Sequence, residues 1–360
     1  MANDRLQATV TIKEVAEKAG VSTATVSRVL SGKDAVSQEL TQRVLDAVEV
    51  LGYRINRAAR ELRAGSVQKV GVILADIQNP FFTSILAGIE KVLQKENYLL
   101  LLGNSNEDPD LEQLHLDNLL EEGVAGIIVA PTTNEVDRYA EVQRTNIPII
   151  AVDRVPGEMR IDAVLIDNLD AAKLATEHLI RLGHQRIGFI GGPENLSTAI
   201  DRRKGYEQAL QEHRIRLDPE LVQPGHYRMD GGYQAMEKLL SLKGRPSAVF
   251  VGNYMMTVGA LQFIHEHKLN IPEDIALVAF DDMPWYVSLQ TPLTVVDQPT
   301  FKLGEIAAQL LVARVRDPEY PVQRIILEAG LVVRASSGAP VQNLDMNPST
   351  RKAHARPGSR

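Results

Sequence analysis

Arginines at intervals of three are the first feature of this sequence with chemical reach. Arg54, Arg57, Arg60 and Arg63 recur ahead of Ala64-Gly65-Ser66, with Leu62 set among them. A charge run of this kind is either a solvated helix face or a phosphate-binding one. An isolated leucine between guanidinium groups suits a wedge pushed into a minor groove while the arginines hold phosphates. Upstream, Thr23, Ala24, Ser27 and Arg28 lie outside on a segment whose Val26, Val29 and Leu30 point inward; small and polar side chains on such a face can reach base edges. The chain offers little for bond-making chemistry. It has no cysteine, which excludes thiol nucleophiles, disulfide scaffolds, zinc ribbons and iron–sulfur clusters. It contains no G-x-x-x-x-G-K loop, no G-x-S-x-G elbow and no G-x-G-x-x-G after a strand. His265-Glu266-His267 has metal-ligating residue types, but histidines two apart on a helix point to different faces. No catalytic residue, metal or cofactor is expected.

The elements that must hold the first set are three short helices. Thr11-Ile12-Lys13-Glu14 has the form of a capping box, in which hydroxyl and carboxylate each satisfy an unpaired backbone N–H. Ile12, Val15, Ala16 and Ala19 then share one face, and Gly20 stops the helix. Ser22 can cap a second helix, and a third starts after Ser37 with Leu40, Val44, Val48 and Leu51 inward and Gly52 at its end. Helix, glycine-containing turn, helix is the helix-turn-helix arrangement, whose second helix enters the major groove. A plain three-helix bundle for protein contact shares the same apolar stripes. Asn56 can cap a further segment, Arg57 to Arg63, too short to be helical without a packing partner. DNA would be such a partner.

From Lys69 the pattern changes. Short apolar runs (Val70–Leu74, Leu99–Leu102, Ile127–Val129, Ile149–Val152, Val164–Ile166, Ile187–Ile190, Val249–Val251, Ile275–Phe280) alternate with segments of helical period such as Phe82, Ile85, Ile89, Leu93 and Leu174, His178, Leu179, Leu182. Runs apolar on both faces predict buried parallel strands, and their alternation with helices predicts an α/β fold. They are too many for one five- or six-stranded sheet, so two doubly wound lobes are expected, with ligand in the crevice beyond the strands' carboxyl ends. Charge divides along the same line. Residues 1–63 carry ten Lys/Arg against eight Asp/Glu, and residues 64–338 carry 25 against 37, so the overall charge of −7 conceals a basic start and an acidic body. The polar N-terminus and the shortness of every apolar run predict an unexported cytoplasmic protein with no membrane partner. After Gly338 apolar periodicity is lost and a disordered tail is expected.

The residues Thr11–Ala16, Gly20–Leu30 and Asn56–Leu62 resemble the lactose-repressor/galactose-repressor family of bacterial transcription regulators. The resemblance continues through Asn79-Pro80-Phe81-Phe82, Leu182-Gly183-His184, Arg202–Tyr206, Phe280-Asp281-Asp282 and Pro292-Leu293-Thr294, to about Gly338. It implies a helix-turn-helix headpiece (1–54), a hinge helix and linker (55–66), two doubly wound lobes of periplasmic-binding-protein type (67–338), and the tail (339–360). It also implies a repressor, acting as a homodimer or tetramer on a pseudo-palindromic operator and answering to a small sugar or sugar derivative, more often as inducer than as co-repressor. Base-reading positions fall on Thr23, Ala24 and Arg28, with Ser27 on the same face. Ser22 and Asn56, flanked by Arg57 and Arg63, come near phosphates, and Leu62 is the wedge. Arg28 is suited to guanine, since a guanidinium can donate twice to its O6 and N7 edge. The family's usual proline before the hinge asparagine is replaced by Ile55, which removes a fixed φ.

For the effector the resemblance places Phe82 as the stacking ring, Asn79 beside it, and Asp153, Arg202, Asn253 and Asp281 as polar contacts. Asp153, Asn253 and Asp281 follow separate predicted strands, so one crevice can collect them. Each has a structural alternative: Asn79, Asp153 and Asn253 as caps or turns, Phe82 as core. Trp285 either covers the ligand from the second lobe or packs internally. Arg154 is a candidate ion-pair partner for Asp153, and Tyr254 stands where the family usually has Asp or Asn. An enzyme on the same sheets, or a sugar-binding module unconnected with DNA, are the rival readings.

Overall fold

The computed structural model describes residues 11–31, 36–51 and 68–338. The chain divides into two units, Met1–Val67 and Gln68–Arg360. The expected hinge with Asn56, Arg57, Leu62 and Arg63, and the expected tail, lie outside the described residues.

In the first unit α1 (Ile12–Ala19), α2 (Thr23–Ser31) and α3 (Gln38–Leu51) enclose a core of Val15, Ala16, Ala19, Val26, Val44 and Ala47, with Leu30, Val48 and Leu51 packed against it. The capping box forms as the sequence predicts: Glu14 N–H donates to the Thr11 hydroxyl and Thr11 N–H to the Glu14 carboxylate at 2.6 Å. Those bonds to Thr11 hold the Glu14 carboxyl below its ordinary value. Gly20 closes α1 at φ 63°, a conformation that suits glycine. The Arg43 guanidinium on α3 donates to the carbonyl oxygen of Ala19 at 2.7 Å, satisfying a group the ending helix leaves open.

The second unit contains two six-stranded sheets. One has the order β11-β5-β4-β3-β1-β2, all parallel, built from β1 (Lys69–Leu74), β2 (Leu99–Asn104), β3 (Gly126–Val129), β4 (Ile149–Asp153), β5 (Asp162–Ile166) and β11 (Arg324–Leu327). The other has the order β12-β10-β9-β8-β6-β7, from β6 (Ile187–Gly191), β7 (Val222–Pro224), β8 (Ala248–Val251), β9 (Ala276–Phe280), β10 (Thr294–Asp297) and an antiparallel β12 (Gly330–Val332). Every run predicted as a strand is one. The short strands β7, β10, β11 and β12 lie outside the predicted runs.

The chain passes between the lobes three times. After β5 it enters α7 (Asn168–Arg181), which packs on the second sheet through Ala171, Ala172, Ala175 and Leu179. After β10 it returns as α11 (Thr300–Arg316), packed on the first sheet through Leu303, Ala307, Ala308 and Leu311. Between β11 and β12 it crosses again. The remaining helices are α4 (Pro80–Lys95), α5 (Pro109–Glu121) and α6 (Ala140–Arg144) in the first lobe, and α8 (Ser197–Glu212), α9 (Met229–Ser241) and α10 (Tyr254–Glu266) in the second. α4 and α11 meet at glycines: a Cβ on Gly88 would stand 2.1 Å from the Phe301 carbonyl oxygen, and one on Gly304 2.0 Å from that of Ile85. Of the stripe expected on α7, His178 and Leu179 are buried and Leu174 and Leu182 only partly; Ala171, Ala172 and Ala175 complete the core face, and the backbone of α8 comes so close that a Cβ on Gly205 would lie 2.2 Å from the Leu169 carbonyl oxygen. Only small side chains fit there.

Candidate functional site

Loops at the carboxyl ends of both sheets close on one cleft of about 410 Å³, its open mouth included. Asp76, Asn79, Phe81, Phe82, Glu107, Asp153 and Arg154 line it from the first lobe. Thr198, Arg202, Tyr227, Asn253 and Asp281 line it from the second, with Gln298 on the crossing that follows β10. Of the seven positions predicted for an effector, six are brought together here.

Asn79 and Asn253 serve as caps as well. The Asn79 side-chain oxygen accepts from Phe81 N–H at 3.1 Å ahead of α4, and that of Asn253 from Met256 N–H at 2.9 Å at the start of α10. The alternatives of cap and cleft residue are therefore compatible, since capping uses the oxygen and leaves the NH2 end for other partners. Phe81 and Phe82, both 4% exposed, stand edge to face with centroids 5.0 Å apart. They provide an apolar wall.

The charged groups are buried and held. Arg154, 3% exposed, donates to both oxygens of Glu107 at 2.9 Å, and its Nε lies 3.7 Å from Asp153. Arg202 donates to Asn168 at 2.7 Å and to the Gly252 carbonyl oxygen at 2.6 Å, with its guanidinium 3.8 Å over the Phe280 ring. Asp281 accepts from Tyr254 N–H at 3.0 Å and from Gln298 Nε2 at 2.5 Å. Asp153 and Asp281 both take left-handed backbone, φ 71° and 77°, a region in which short polar side chains are among the few tolerated. Burial pushes both carboxyls up; Arg154 and Arg202 oppose this at Asp153, and Arg202 with the Gln298 bond at Asp281. Three buried cleft atoms have no hydrogen-bond partner: Asp153 Oδ1, Arg154 Nε and Gln298 Oε1.

Trp285 departs from the predicted set. It is 39% exposed on a 3-10 turn (Pro284–Ser288), its ring edge to face with Tyr286 at 4.5 Å and Tyr254 at 6.5 Å, and it neither lines the cleft nor packs internally. Tyr254 turns its ring to this cluster and gives the site only its backbone N–H. Asp76, Phe81, Glu107, Thr198, Tyr227 and Gln298 were not anticipated as cleft residues. Gln298 had the same signal as Asp153, a polar residue just beyond a strand, but β10 was not read as one. Tyr227 bonds Thr198 through their hydroxyls at 3.1 Å and sits at φ 57°, for which the sequence has no cue.

In the first unit, Ser22, Thr23, Ala24, Ser27 and Arg28 are all exposed. Ser22 caps α2 by accepting from Thr25 N–H at 3.1 Å. His265, Glu266 and His267 are exposed at the end of α10, where Glu266 accepts from Tyr233 and Gln262. Among the described residues no acidic and histidine group could hold a metal ion, and no helix is long and apolar enough to cross a membrane.

Residues 11–56 match the family model described as bacterial regulatory proteins of the lacI family, and residues 67–329 match periplasmic binding proteins and sugar-binding domain of the LacI family. The ribose operon repressor of Haemophilus influenzae is 32% identical over 326 residues, 91% of this chain and 98% of that protein. Among solved structures, the lac repressor dimer bound to operator and an anti-inducer aligns with TM-score 0.79 at 27% identity, over 92% of this chain and 99% of that one. A LacI-family regulator from Enterococcus faecium with bound ribose aligns with TM-score 0.68 at 30% identity, over 75% and 98% of the two chains.

Proposed function

The chain belongs to the LacI family of bacterial regulatory proteins, an effector-regulated DNA-binding repressor with a sugar-binding domain, and from that premise we propose that ribose, held in the interlobe cleft, sets its affinity for operator DNA. The observation that carries the choice of a single small polyol is the unmatched set of Asp153 Oδ1, Arg154 Nε and Gln298 Oε1. Buried polar atoms without partners are costly, about 1–3 kcal/mol each. A hydroxyl can donate to Asp153 while accepting from Arg154, and a second can donate to Gln298. The Phe81 and Phe82 rings cover the apolar side of a sugar ring. The ribose operon repressor and the ribose-bound regulator among the relatives support the same choice.

Ribose acts as an inducer in this reading. A ligand shifts an equilibrium only by binding one state better than another, and the two lobes, joined by three short crossings, are the element with two arrangements. On the DNA side Thr23, Ala24 and Arg28 face base edges with Ser27 beside them, Ser22, Asn56, Arg57 and Arg63 take phosphates, and Leu62 enters the minor groove. Two copies pair on a pseudo-palindromic operator through the edge of the first lobe, where Leu99 and Leu102 on the edge strand β2 and Leu111 and Leu114 on α5 are each exposed. The site binds rather than turns over its ligand, and its place is the cytoplasm, beside the chromosome. Calorimetry of the full chain with ribose, xylose and cellobiose tests the effector: ribose should bind with one site per chain, and binding of cellobiose in preference to ribose would overturn the choice.

A further inference from the structure

The three crossings join the lobes along one side. They leave from β5, β10 and β11, and in both sheet orders the crossing strands lie towards the same edge. β3 and β6 stand away from that edge, fourth and fifth in their orders, and the loops that follow them meet: the Asn134 side-chain nitrogen donates to the Asn195 carbonyl oxygen. This hydrogen bond ties the lobes together away from the crossings. Neither residue lines the cleft, and both are exposed.

The first lobe anchors the donor on both sides. Ahead of Asn134, Thr132 N–H donates at 2.6 Å to Glu112, a buried carboxylate on α5. Behind it, Tyr139, fully buried at the end of a 3-10 turn (Val136–Tyr139), donates its hydroxyl to the same carboxylate. Arg138 on that turn donates to Glu135 at 2.8 Å, to the Pro109 carbonyl oxygen at 3.1 Å and to Asp110 at 3.0 Å. The acceptor stands two residues ahead of α8, the helix that brings Thr198 and Arg202 to the cleft. An anchored donor on one wall thus meets the lead-in to the opposite wall.

Building on the effector reading above, we propose that Asn134 is a positioning residue of the effector response, holding the lobes in the arrangement that encloses the ligand without touching the ligand itself. A contact made in one arrangement only raises the share of molecules in it, and a ligand that binds there gains the same factor in apparent affinity. One neutral hydrogen bond is worth about a factor of five on this scale. The groups that meet the ligand are unchanged by its loss, so the effect should fall on how fast the ligand escapes.

Two measurements on the full chain test this. The sequence has no cysteine, so Asn134→Cys combined with Asn195→Cys places one thiol in each lobe, and a short bis-maleimide should join them in the ligand-free protein. Absence of that crosslink would sink the proposal. Release of radiolabelled ribose by rapid filtration then separates the bond from simple packing. Asn134→Ala should release ribose about fivefold faster than the unsubstituted chain, and Asn134→Asp, which keeps the shape and loses the donor, should be at least as fast, both with unchanged melting temperature. Release from Asn134→Asp at the unsubstituted rate would show that the donor has no such role. If ribose fails to bind the unsubstituted chain, the choice of ribose falls, whereas the crosslink still decides whether the lobes are held at this point.

Discussion

The two lobes place matching residues at matching points and then use them differently. β4 and β9 hold the same position in their sheets, third from the edge strands β11 and β12, and an aspartate lies at the carboxyl end of each, Asp153 closing β4 and Asp281 just past β9. Both have positive φ and both are nearly buried. Asp281 is satisfied without any ligand, by Tyr254 N–H and Gln298, and its neighbours Arg202 and Asn253 are held by Asn168, Gly252 and Met256. Asp153 Oδ1 and the Nε of Arg154 beside it have no hydrogen-bond partner. Apart from Gln298 Oε1 on the crossing after β10, the unmatched buried atoms of the cleft therefore lie in the first lobe, where a ligand would complete them. A ligand bridging the two gains most from the first lobe, which gives a physical reason for lobe arrangement to depend on occupancy.

Substitution of the paired aspartates is the strongest way to break this comparison. Asp281→Ala removes the acceptor of two donors and should clearly lower the melting temperature of the ligand-free protein, while weakening ribose binding by only about 1 kcal/mol. Asp153→Ala should weaken ribose binding by about 2 kcal/mol while changing that melting temperature much less, because Asp153 accepts no hydrogen bond at Oδ1 in the ligand-free protein and its Arg154 neighbour, 3.7 Å away, keeps its bonds to Glu107. Equal loss of thermal stability in both variants would erase the distinction between the lobes.

The next effect isolates the lobes from the DNA-reading unit. Arg28→Ala should weaken operator binding by about 1–3 kcal/mol, measured by gel shift, with calorimetric ribose affinity unaltered. Titration sharpens the comparison further. Burial raises both aspartates, so each protonates at a higher pH than an ordinary carboxyl. A protonated Asp153 no longer offers a full carboxylate to a hydroxyl, so ribose affinity should fall as pH is lowered through its raised value. The ligand-free protein responds with the opposite sign: groups whose folded pKa exceeds the unfolded one favour the folded state as pH falls through that window and lose this as pH rises. Calorimetry and melting curves along one pH series read both. The smallest effect is Thr11→Ala, which removes the first cap of the headpiece and should cost it about 1 kcal/mol by circular dichroism melting.

How legible each region was in the sequence follows from where its information is stored. The sheets were readable because a strand covered on both faces must be apolar throughout, as β1, β4 and β9 are. The polar groups that interrupt such runs at their ends, Asp153, Asn253 and Asp281, announced the cleft for the same reason. Glu107 and Tyr227 come from loops whose course depends on tertiary contacts, so no local pattern marks them. Trp285 misled because a lone tryptophan near a ligand-binding strand fits a stacking role by type, whereas its 3-10 turn directs it to Tyr254 and Tyr286. The overall charge of −7 would have argued against DNA if taken whole; only its division along the chain was informative.

Operator affinity measured with and without ribose, on the full chain and on Asp153→Ala side by side, tests the coupling most directly. Both proteins should bind the operator equally in the absence of ribose, and ribose should release only the unsubstituted protein, by tenfold or more. Full release of Asp153→Ala by the same ribose concentration, or ribose bound by the unsubstituted protein with no change in operator affinity, would contradict the account.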